Sequence, residues 1–480
     1  MIGDLKPYPA MKDSGVRWFG AVPAHWEVLP NRAVFAEVKE RDHPSADMLS
    51  VTITKGVIRQ KALLEDSSKK DSSNQDKSAY KFVRPGDIAY NKMRAWQGAV
   101  GVSEYEGIVS PAYVVQRPRE GTHPRYLHYL LRTPAFAKEA ERWSYGITSD
   151  MWSLRPEHFK LIYSCLPPVP EQTAIVRFLD HADRRIRRDI RAKQKLMALL
   201  EEQKQAIIHR AVTRGLDPNV RLKPSGVEWL GDLPQHWKVL SLRRVVSLVT
   251  SGSRGWATFY SDTGDIFLQS GNLGRSMSLD LSFIQHVQLP ADSEGIRTKV
   301  QRDDVLVCIT GALTGNVVVV DVELGSAYVN QHVALVRPKV TKIFPRFLSY
   351  CLHSQIGQSQ FKTTEYGGTK QGLGLDDVKS VVFPVPPLRE QEQLSRWLDE
   401  RLRALTAAAQ VALREIALLR EFRTRLIADV VTGKLDVRNA AARLPDDAKE
   451  IAPLDEIETA GEEGEPRAED ADEMPEEAEA

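Results

Sequence analysis

The stretch SGVEWLGDLPQHW (Ser225–Trp237) repeats SGVRWFGAVPAHW (Ser14–Trp26) at a separation of 211 residues. The shared pattern, SGVxWxGxxPxHW, is called the joint motif below. Further matches lie 219 residues apart, namely PPVPEQ (Pro167–Gln172) with PPLREQ (Pro386–Gln391) and VTRGLD (Val212–Asp217) with VTGKLD (Val431–Asp436). This period far exceeds the 20–50 residues of solenoid repeats. It predicts two copies of a whole domain plus a helix, a doubled frame that resembles a two-fold dimer.

Each copy ends in a long, uninterrupted helical pattern. Apolar residues recur at steps of three and four from Ile175 to Ala211 and from Leu394 to Val430, without an internal Pro or Gly. At roughly 1.5 Å per residue, each helix is about 60 Å long. We expect the two to pair as an antiparallel coiled coil, long enough to span more than one turn of B-DNA. The alternative is two separate helices, each packed on its own domain.

The segments between the joints and the helices mix short β-rich runs with one helical stretch each, which indicates an α+β fold. Their sequences differ, although the joints and the helix ends match. We therefore predict two pseudo-repeated α/β domains joined by the helix pair. The predicted segments are a joint (1–26), a first domain (27–165), a helix (166–215), a second joint (216–237), a second domain (238–384), a helix (385–433) and a C-terminal segment (434–480).

The formal net charge of +1 conceals a strong asymmetry. Residues 445–480 contain 16 Asp or Glu and 2 Lys or Arg, so the rest of the chain carries +15. The acidic tail has too little apolar surface to form a core, and we predict that it is disordered. The basic body favours a polyanionic partner, with nucleic acid as the first candidate. The alternative is a mildly basic soluble protein whose charge is incidental.

Several classes of protein are disfavoured by the sequence. The chain lacks an 18-residue apolar run and a secretory pattern at its start, so we expect it in the cytoplasm and not in a membrane. The three cysteines are far apart, which argues against disulfides and zinc. Dinucleotide, P-loop, zinc-protease and serine-hydrolase motifs are missing, and so is the tetrapeptide of amino-methylating DNA enzymes. We predict no catalytic residues and no metal site, and expect partners to supply catalysis.

The segment YNKMRAWQG (Tyr90–Gly98) combines cations, amides and an aromatic ring after a strand. Lys and Arg can contact guanine or phosphate, and Asn and Gln can contact adenine. The alternative is an ordinary polar hairpin with Trp96 in the core. A glycine-rich turn at Gly367–Gly372 matches Thr148–Met151 in the first half. The candidate DNA-contacting residues, chosen by type and loop position, are Asn91, Lys92, Arg94, Trp96, Gln97, Arg254, Gln269, Asn272, Asn316, Lys370 and Gln371.

The repeated joint motif, the PPxxEQ start of each helix and the VT-containing helix ends together resemble the specificity subunit of type I restriction–modification systems. The resemblance covers about residues 1–440 and leaves out the acidic tail. It implies two target-recognition domains, each contacting one half of a bipartite site in double-stranded DNA. It also implies that the helices serve as a spacer and as a docking surface for two methyltransferase subunits. Candidate docking residues are Phe178, Ile186, Ile190, Leu200, Trp397, Leu405, Leu419 and Phe422.

The resemblance further implies that two restriction–translocase subunits complete the complex. The chain itself is expected to bind no cofactor, because S-adenosylmethionine, ATP and Mg²⁺ would be held by the partners. Two other hypotheses stay open from the residues alone. One is a nuclease or methyltransferase acting on its own, against which the missing motifs argue. The other is a coiled-coil scaffold that binds only proteins.

Overall fold

The computed structural model describes residues 5–61, 76–147, 151–252, 255–274, 277–289, 297–364 and 372–445. The acidic tail beyond residue 445 and the candidates Arg254, Lys370 and Gln371 lie outside the described residues. The chain divides into two compact units. Unit 1 comprises Met1–Gln194 and Arg414–Ala480, and unit 2 comprises Lys195–Leu413. The division therefore passes through the middle of both long helices and not at their ends.

Unit 1 contains the first half of the chain's strands and most of the short helices. Its strands are β1 Met11–Asp13, β2 Ala21–Pro23, β3 Glu27–Pro30, β4 Phe35–Val38, β5 Leu49–Thr52, β6 Gly56–Arg59, β7 Lys81–Val83, β8 Ile88–Asn91, β9 Val100–Val102, β10 Gly107–Val109, β11 Tyr113–Pro118 and β12 Tyr163–Leu166. Its short helices are α1 Asn31–Val34, α2 Pro124–Leu131, α3 Pro134–Arg142, α4 Pro156–Phe159 and, after the second long helix, α10 Arg438–Ala442. The first long helix, α5 Val169–Arg214, begins in unit 1.

Unit 2 repeats much of this order. Its strands are β13 Leu222–Pro224, β14 Asp232–Pro234, β15 Lys238–Ser241, β16 Val246–Ser251, β17 Tyr260–Ser261, β18 Asp265–Leu268, β19 Gln285–Val287, β20 Val305–Cys308, β21 Val317–Val319, β22 Ala327–Val329, β23 Val333–Pro338 and β24 Val382–Val385. Its short helices are α6 Pro345–His353, α7 Gln355–Thr364 and α8 Leu375–Ser380. The second long helix, α9 Leu388–Val431, begins here.

The two units share a topology. Each has a four-stranded antiparallel sheet, in the order β4-β11-β8-β9 in unit 1 and β16-β23-β20-β21 in unit 2. The strand pairs β1-β2 and β3-β12 correspond to β13-β14 and β15-β24. The additions differ, since unit 1 has the pairs β5-β6 and β7-β10, whereas unit 2 has a second mixed sheet, β17-β19-β18-β22. The predicted α+β class and the pseudo-repeat are confirmed.

The central sheet of unit 2 is buried on both faces, which explains its run of apolar residues. Successive side chains in a strand point to opposite faces. In β20, Val305 and Val307 accordingly join one core cluster with Phe347 of α6, while Leu306 and Cys308 join a second cluster. The unbroken apolar run VLVC therefore reflects a strand covered on two sides.

The long helices pair in antiparallel fashion within each unit. In unit 1, Lys193 Nζ lies 2.6 Å from Glu415 Oε2, and Asp183 forms an ion pair with Arg423. From Asp183 to Lys193 the residue number on α5 rises, whereas that of the contacted residue on α9 falls from 423 to 415, so the two helices run antiparallel. In unit 2, the C-terminal end of α5 (Ile208) packs in one core cluster with the N-terminal part of α9 (Leu394). The structure confirms the predicted helix pair and contradicts two separate helices.

The joint motif of unit 1 fastens the start of α5. Trp26 is fully buried, and its Nε1 donates a hydrogen bond to Glu171 Oε1 at 3.0 Å. The Tyr8 hydroxyl donates to the same oxygen at 2.6 Å, and His25 Nε2 lies 2.8 Å from Glu171 Oε2. The Glu of PPxxEQ is therefore the acceptor around which the joint assembles.

The same joint also holds the end of α9. Gly433 has a φ of +75°, and a Cβ on it would lie 2.2 Å from Pro23 Cδ and 3.2 Å from Trp26 Cζ3. Only glycine permits this backbone conformation and this close approach. Unit 2 repeats the arrangement, with Trp237 and Glu390 at the start of α9 and Gly215 at the end of α5. The motif occurs twice because each joint binds the start of one long helix and the end of the other.

The ends of the described chain close the joint of unit 1. In unit 2, the peptide chain runs directly from α5 into the joint. In unit 1, the corresponding connection is non-covalent: Lys6 forms a β-bridge with Asp436, and the Arg438 guanidinium lies 5.0 Å from the centre of the Tyr8 ring. Hydrogen bonds and a cation–π contact thus replace a peptide link.

We predict that Glu171→Ala destabilises the protein more than Glu390→Ala. The first change leaves the buried Tyr8 hydroxyl and the Trp26 N–H without an acceptor, which we expect to cost about 3 kcal/mol. The Glu390 side chain is 29% exposed against 7% for Glu171, so water can replace part of its role, and we expect about 1 kcal/mol. Urea unfolding of the full chain, followed by tryptophan fluorescence, measures both. Equal losses would contradict the asymmetry.

Candidate nucleic-acid interface

The segment Tyr90–Gly98 forms a turn that its own side chains stabilise. Asn91 Oδ1 accepts from the Met93 N–H at 2.9 Å, and Trp96 Nε1 donates to the Met93 carbonyl at 2.9 Å. Trp96 is half-buried and meets Trp152 edge-on at 5.6 Å between ring centres, so it lies at the surface and not in the core. Gln97 is exposed. Asn91, Lys92 and Arg94 are half-exposed.

A groove of about 570 Å³ lies beside this turn in unit 1. Two cations, Lys92 and Arg155, and one carboxylate, Glu157, line it together with Tyr145 and Ile147. The Leu154 N–H donates to the Lys92 carbonyl at 2.9 Å, which ties the two segments together. Ile147 is 91% exposed and adds an apolar side chain to the rim of this groove. Cations beside exposed apolar and aromatic groups are typical of nucleic-acid contact surfaces.

Sequence reasoning missed three of these residues. Tyr145, Ile147 and Arg155 flank the turn Thr148–Met151, which the repeat had singled out. Sequence reasoning could have found these residues because they lie within four positions of 148–151 in the sequence. Their meeting with Lys92 depends on chain pairing across more than fifty residues, which local pattern does not reveal.

In unit 2, two candidate amides hold a loop in place. Asn272 is buried, its Nδ2 donates to the carbonyls of Asp280 and Phe283 at 2.9 and 2.8 Å, and its Oδ1 accepts from the Gln269 N–H. Asn316 Nδ2 donates to the Leu273 carbonyl at 2.9 Å. With its hydrogen-bonding groups committed internally, Asn272 is a loop-positioning residue in this structure and not an exposed base-contacting group.

The loop held by Asn272 carries an exposed aromatic side chain instead. Phe283, whose carbonyl accepts from Asn272, is 88% exposed. Tyr260, on strand β17, is also exposed. Gln269 is half-exposed, and its Nε2 donates to the Tyr260 hydroxyl at 3.1 Å. Among the described residues, the candidate surface of unit 2 therefore offers two exposed aromatic rings.

Some of the predicted docking residues are used inside unit 1. Phe178, Ile186 and Ile190 are buried in this structure and are not exposed at the surface of the chain. Trp397 and Phe422 are exposed, and Leu200, Leu405 and Leu419 are half-buried. The large apolar side chains of α5 and α9 that are exposed and were not among the docking candidates are Val169, Leu196, Leu199, Val411, Leu413 and Leu418. Leu196 and Leu413 belong to the apolar stripes of the sequence, so the stripe alone does not separate packed from exposed positions.

The buried ionisable groups of the described chain serve the frame. Arg125 and Tyr129 bind Asp180 at the start of α5, as Arg346 and Tyr350 bind Asp399 at the start of α9. Burial raises the pKa of Asp180. Among the described residues, no cluster of His, Cys, Asp or Glu has the make-up of a metal site, and all three cysteines are buried and free. No described helix is long and apolar enough to cross a membrane.

Comparison with known proteins relates the chain to one family. Residues 296–414 match the model of the type I restriction modification DNA specificity domain. This stretch is similar to a type I specificity domain. The chain is 21% identical over 353 residues to the EcoBI specificity subunit of Escherichia coli, covering 72% of both chains. It is 21% identical over 443 residues to the putative MjaX specificity subunit of Methanocaldococcus jannaschii, covering 87% of this chain and 96% of that one.

A solved structure has a similar fold. A chain from a type I restriction–modification system superimposes with a TM-score of 0.61 at 18% identity, covering 86% of this chain and 99% of that one. Together with the family match and the curated relatives, the resemblance that the joint motifs indicated is confirmed. The family model falls within the second half of the chain, and the structural repeat extends the same topology to the first half.

We predict that His353 makes unit 2 sensitive to mild acid. Burial lowers the pKa of this side chain, whose Nε2 lies 3.0 Å from Gln205 Nε2, to about 4. Between pH 6.5 and 4, the unfolded chain therefore binds a proton that the folded chain refuses, and stability falls as the pH falls. Integrated from pH 7 to pH 5, the loss is at most about 2 kcal/mol.

The variant His353→Gln provides the control. It lacks this titration, so the difference in unfolding free energy between the original protein and the variant should shrink by up to about 2 kcal/mol from pH 7 to pH 5. His123 and His209, whose pKa values burial also lowers, titrate equally in both proteins and cancel. Parallel pH profiles would contradict the prediction.

Proposed function

We propose that the chain is the DNA sequence-specificity subunit of a type I restriction–modification complex. In this proposal its two target-recognition domains, 27–165 and 238–384, contact the two halves of a bipartite double-stranded site. The observation that carries the proposal is one frame, repeated in topology and in its Trp–Glu joints, around two different surfaces. A doubled frame with unlike surfaces suits a target made of two unlike half-sites.

The chemistry of the two surfaces supports different half-sites. In unit 1, Lys92 and Arg155 suit phosphate oxygens or guanine edges, and Tyr145 and Ile147 suit apolar contact with bases. In unit 2, exposed Phe283 and Tyr260 offer stacking or wedging. The candidates Asn91, Arg94, Trp96 and Gln97 lie on the turn beside the first surface and stay predicted contacts.

The helix pair is proposed as the docking surface for two methyltransferase subunits. Contact between exposed leucine side chains and water is unfavourable. Covering these side chains with a partner therefore lowers the free energy of the complex. Two restriction–translocase subunits would complete the complex. The chain itself is proposed to be non-catalytic, with S-adenosylmethionine, ATP and Mg²⁺ bound by the partners and the complex acting on DNA in the cytoplasm.

A domain exchange tests the recognition role. Replacing residues 27–165 with the corresponding domain of another specificity subunit should change one half of the methylated motif and leave the other half intact. Sequencing of modified bases in host DNA, with the matching methyltransferase present, gives the motif directly. A change in both halves, or methylation by the purified chain alone, would count against the proposal.

A second experiment tests the docking surface. Leu196→Asp with Leu199→Asp places two charges on the exposed side of α5, and we expect at least a tenfold loss of methyltransferase binding, about 1.4 kcal/mol or more. The matched control is Val322→Asp with Val340→Asp, which changes two exposed valines of unit 2 that are not part of the long helices. Co-purification and thermal unfolding of both variants separate lost docking from misfolding. Equal binding by the two variants would place the docking surface elsewhere.

A further inference from the structure

The first half of α5 carries an arginine face. Arg177, Arg184, Arg188 and Arg191 are spaced by seven, four and three residues, which puts them on one side of the helix. The buried apolar residues of the same half lie on the other side. Arg188 and Arg191 are exposed, and neither forms an ion pair or hydrogen bond with the residues that the structure describes. Exposed cations in a row attract a polyanion.

The described chain ends on this face. Arg177 Nη2 donates to the carbonyls of Leu444 and Pro445 at 2.8 and 3.1 Å. Leu444 and Ala441 are buried, so the root of the C-terminal segment is anchored in unit 1. Arg177 Nε is buried and has no acceptor among the described residues. The described chain therefore ends at the arginine face, beside the Arg177 Nε–H group that has no acceptor among the described residues. The next residue in sequence is Asp446.

The segment that follows has the opposite charge and sufficient length. Residues 446–480 contain 16 Asp or Glu and 2 Lys or Arg, a net charge of −14. From Arg177 to Arg191 the helix rises about 21 Å at 1.5 Å per residue. Thirty-five residues can span up to about 115 Å when extended. The segment can therefore reach every arginine of the face.

We propose that the acidic segment 446–480 docks in cis on the arginine face of α5, formed by Arg177, Arg184, Arg188 and Arg191, and competes there with DNA phosphates. Tethering gives a segment an effective concentration in the millimolar range. Non-specific duplex binding has dissociation constants of roughly 10⁻⁴–10⁻⁶ M at physiological salt. A tethered polyanion thus lowers unspecific binding and leaves the target-recognition surfaces open. The docking in cis holds or fails separately from the DNA-specificity role, whereas the competition with DNA rests on the proposed function.

Photo-crosslinking of the full chain tests the docking. Benzoylphenylalanine in place of exposed Ala192, one turn beyond Arg188, should crosslink at low salt to peptides from 446–480 identified by mass spectrometry. Arg188→Ser with Arg191→Ser should lower the yield at least about fivefold, because phosphate-like and carboxylate partners bind through these charges. Arg401→Ser with Arg403→Ser, two exposed arginines of α9, is the matched control and should leave the yield unchanged.

The crosslinking has outcomes that overturn the proposal. A crosslink to any other segment, or a yield that the arginine substitutions do not change, rules out docking on this face. Mixing the labelled protein with an isotope-labelled copy distinguishes chains. A crosslink between copies would show docking in trans, which contradicts the proposal.

Competition with DNA is measured on a chain ending at Pro445. Without the segment, binding to a non-target duplex at 50 mM salt should tighten about tenfold, and the slope of log K against log salt should steepen by about 2 to 3, since each phosphate contact adds about 0.9. Arg188→Ser with Arg191→Ser in the shortened chain should reverse most of this change. Unchanged binding after shortening, or equal weakening by the arginine substitutions in the full and shortened chains, would overturn the competition. Site-specific methylation by the assembled complex reports folding and the specificity role independently.

Discussion

The hydrogen bond between a buried tryptophan and the first glutamate of a long helix is the contact on which the remaining structure depends. Trp26 donates to Glu171, and Trp237 donates to Glu390. Each bond joins a segment ahead of a domain to the helix that follows that domain. The same tryptophan ring packs against the glycine that ends the other long helix. The buried Glu171 carboxylate needs several hydrogen-bond donors. Tyr8 and Trp26 supply them, so this carboxylate specifies how the joint meets the start of α5.

This frame leaves the domain surfaces free to differ. The paired four-stranded sheets and the Arg–Asp–Tyr contacts of Asp180 and Asp399 recur in both units, whereas the additions to the sheets do not. Stability therefore comes from the repeated parts, and the surface loops carry little of it. Unit 1 presents a groove with two cations, and unit 2 presents the exposed ring of Phe283 on a loop that Asn272 holds. Different recognition properties can arise on one frame without loss of its core.

The charge of the chain is divided unevenly between the C-terminal segment and the remainder. The near-zero total results from a strongly acidic C-terminal segment and a basic remainder. Part of the positive charge lies in a row on α5, opposite the buried side of that helix. Long-range attraction to DNA is useful to a protein that must find one site, but it also favours unspecific sites. An acidic segment anchored beside the arginine row offers a way to separate the two effects.

The sequence alone determined the doubling, the two long helices and the family resemblance, because repeats, 3.6-residue periodicity and joint motifs are local patterns. The bounds of the long helices were predicted to within about three residues because Pro and Gly end helices through backbone geometry. Tertiary structure decided which side chains are available. Phe178, Ile186 and Ile190 looked suited to docking, but they are buried in the folded chain. Asn272 looked suited to base contact, but its hydrogen bonds are made within its own loop. The groove of Lys92, Tyr145 and Arg155 forms only when distant segments pair, and composition and spacing do not encode such a meeting.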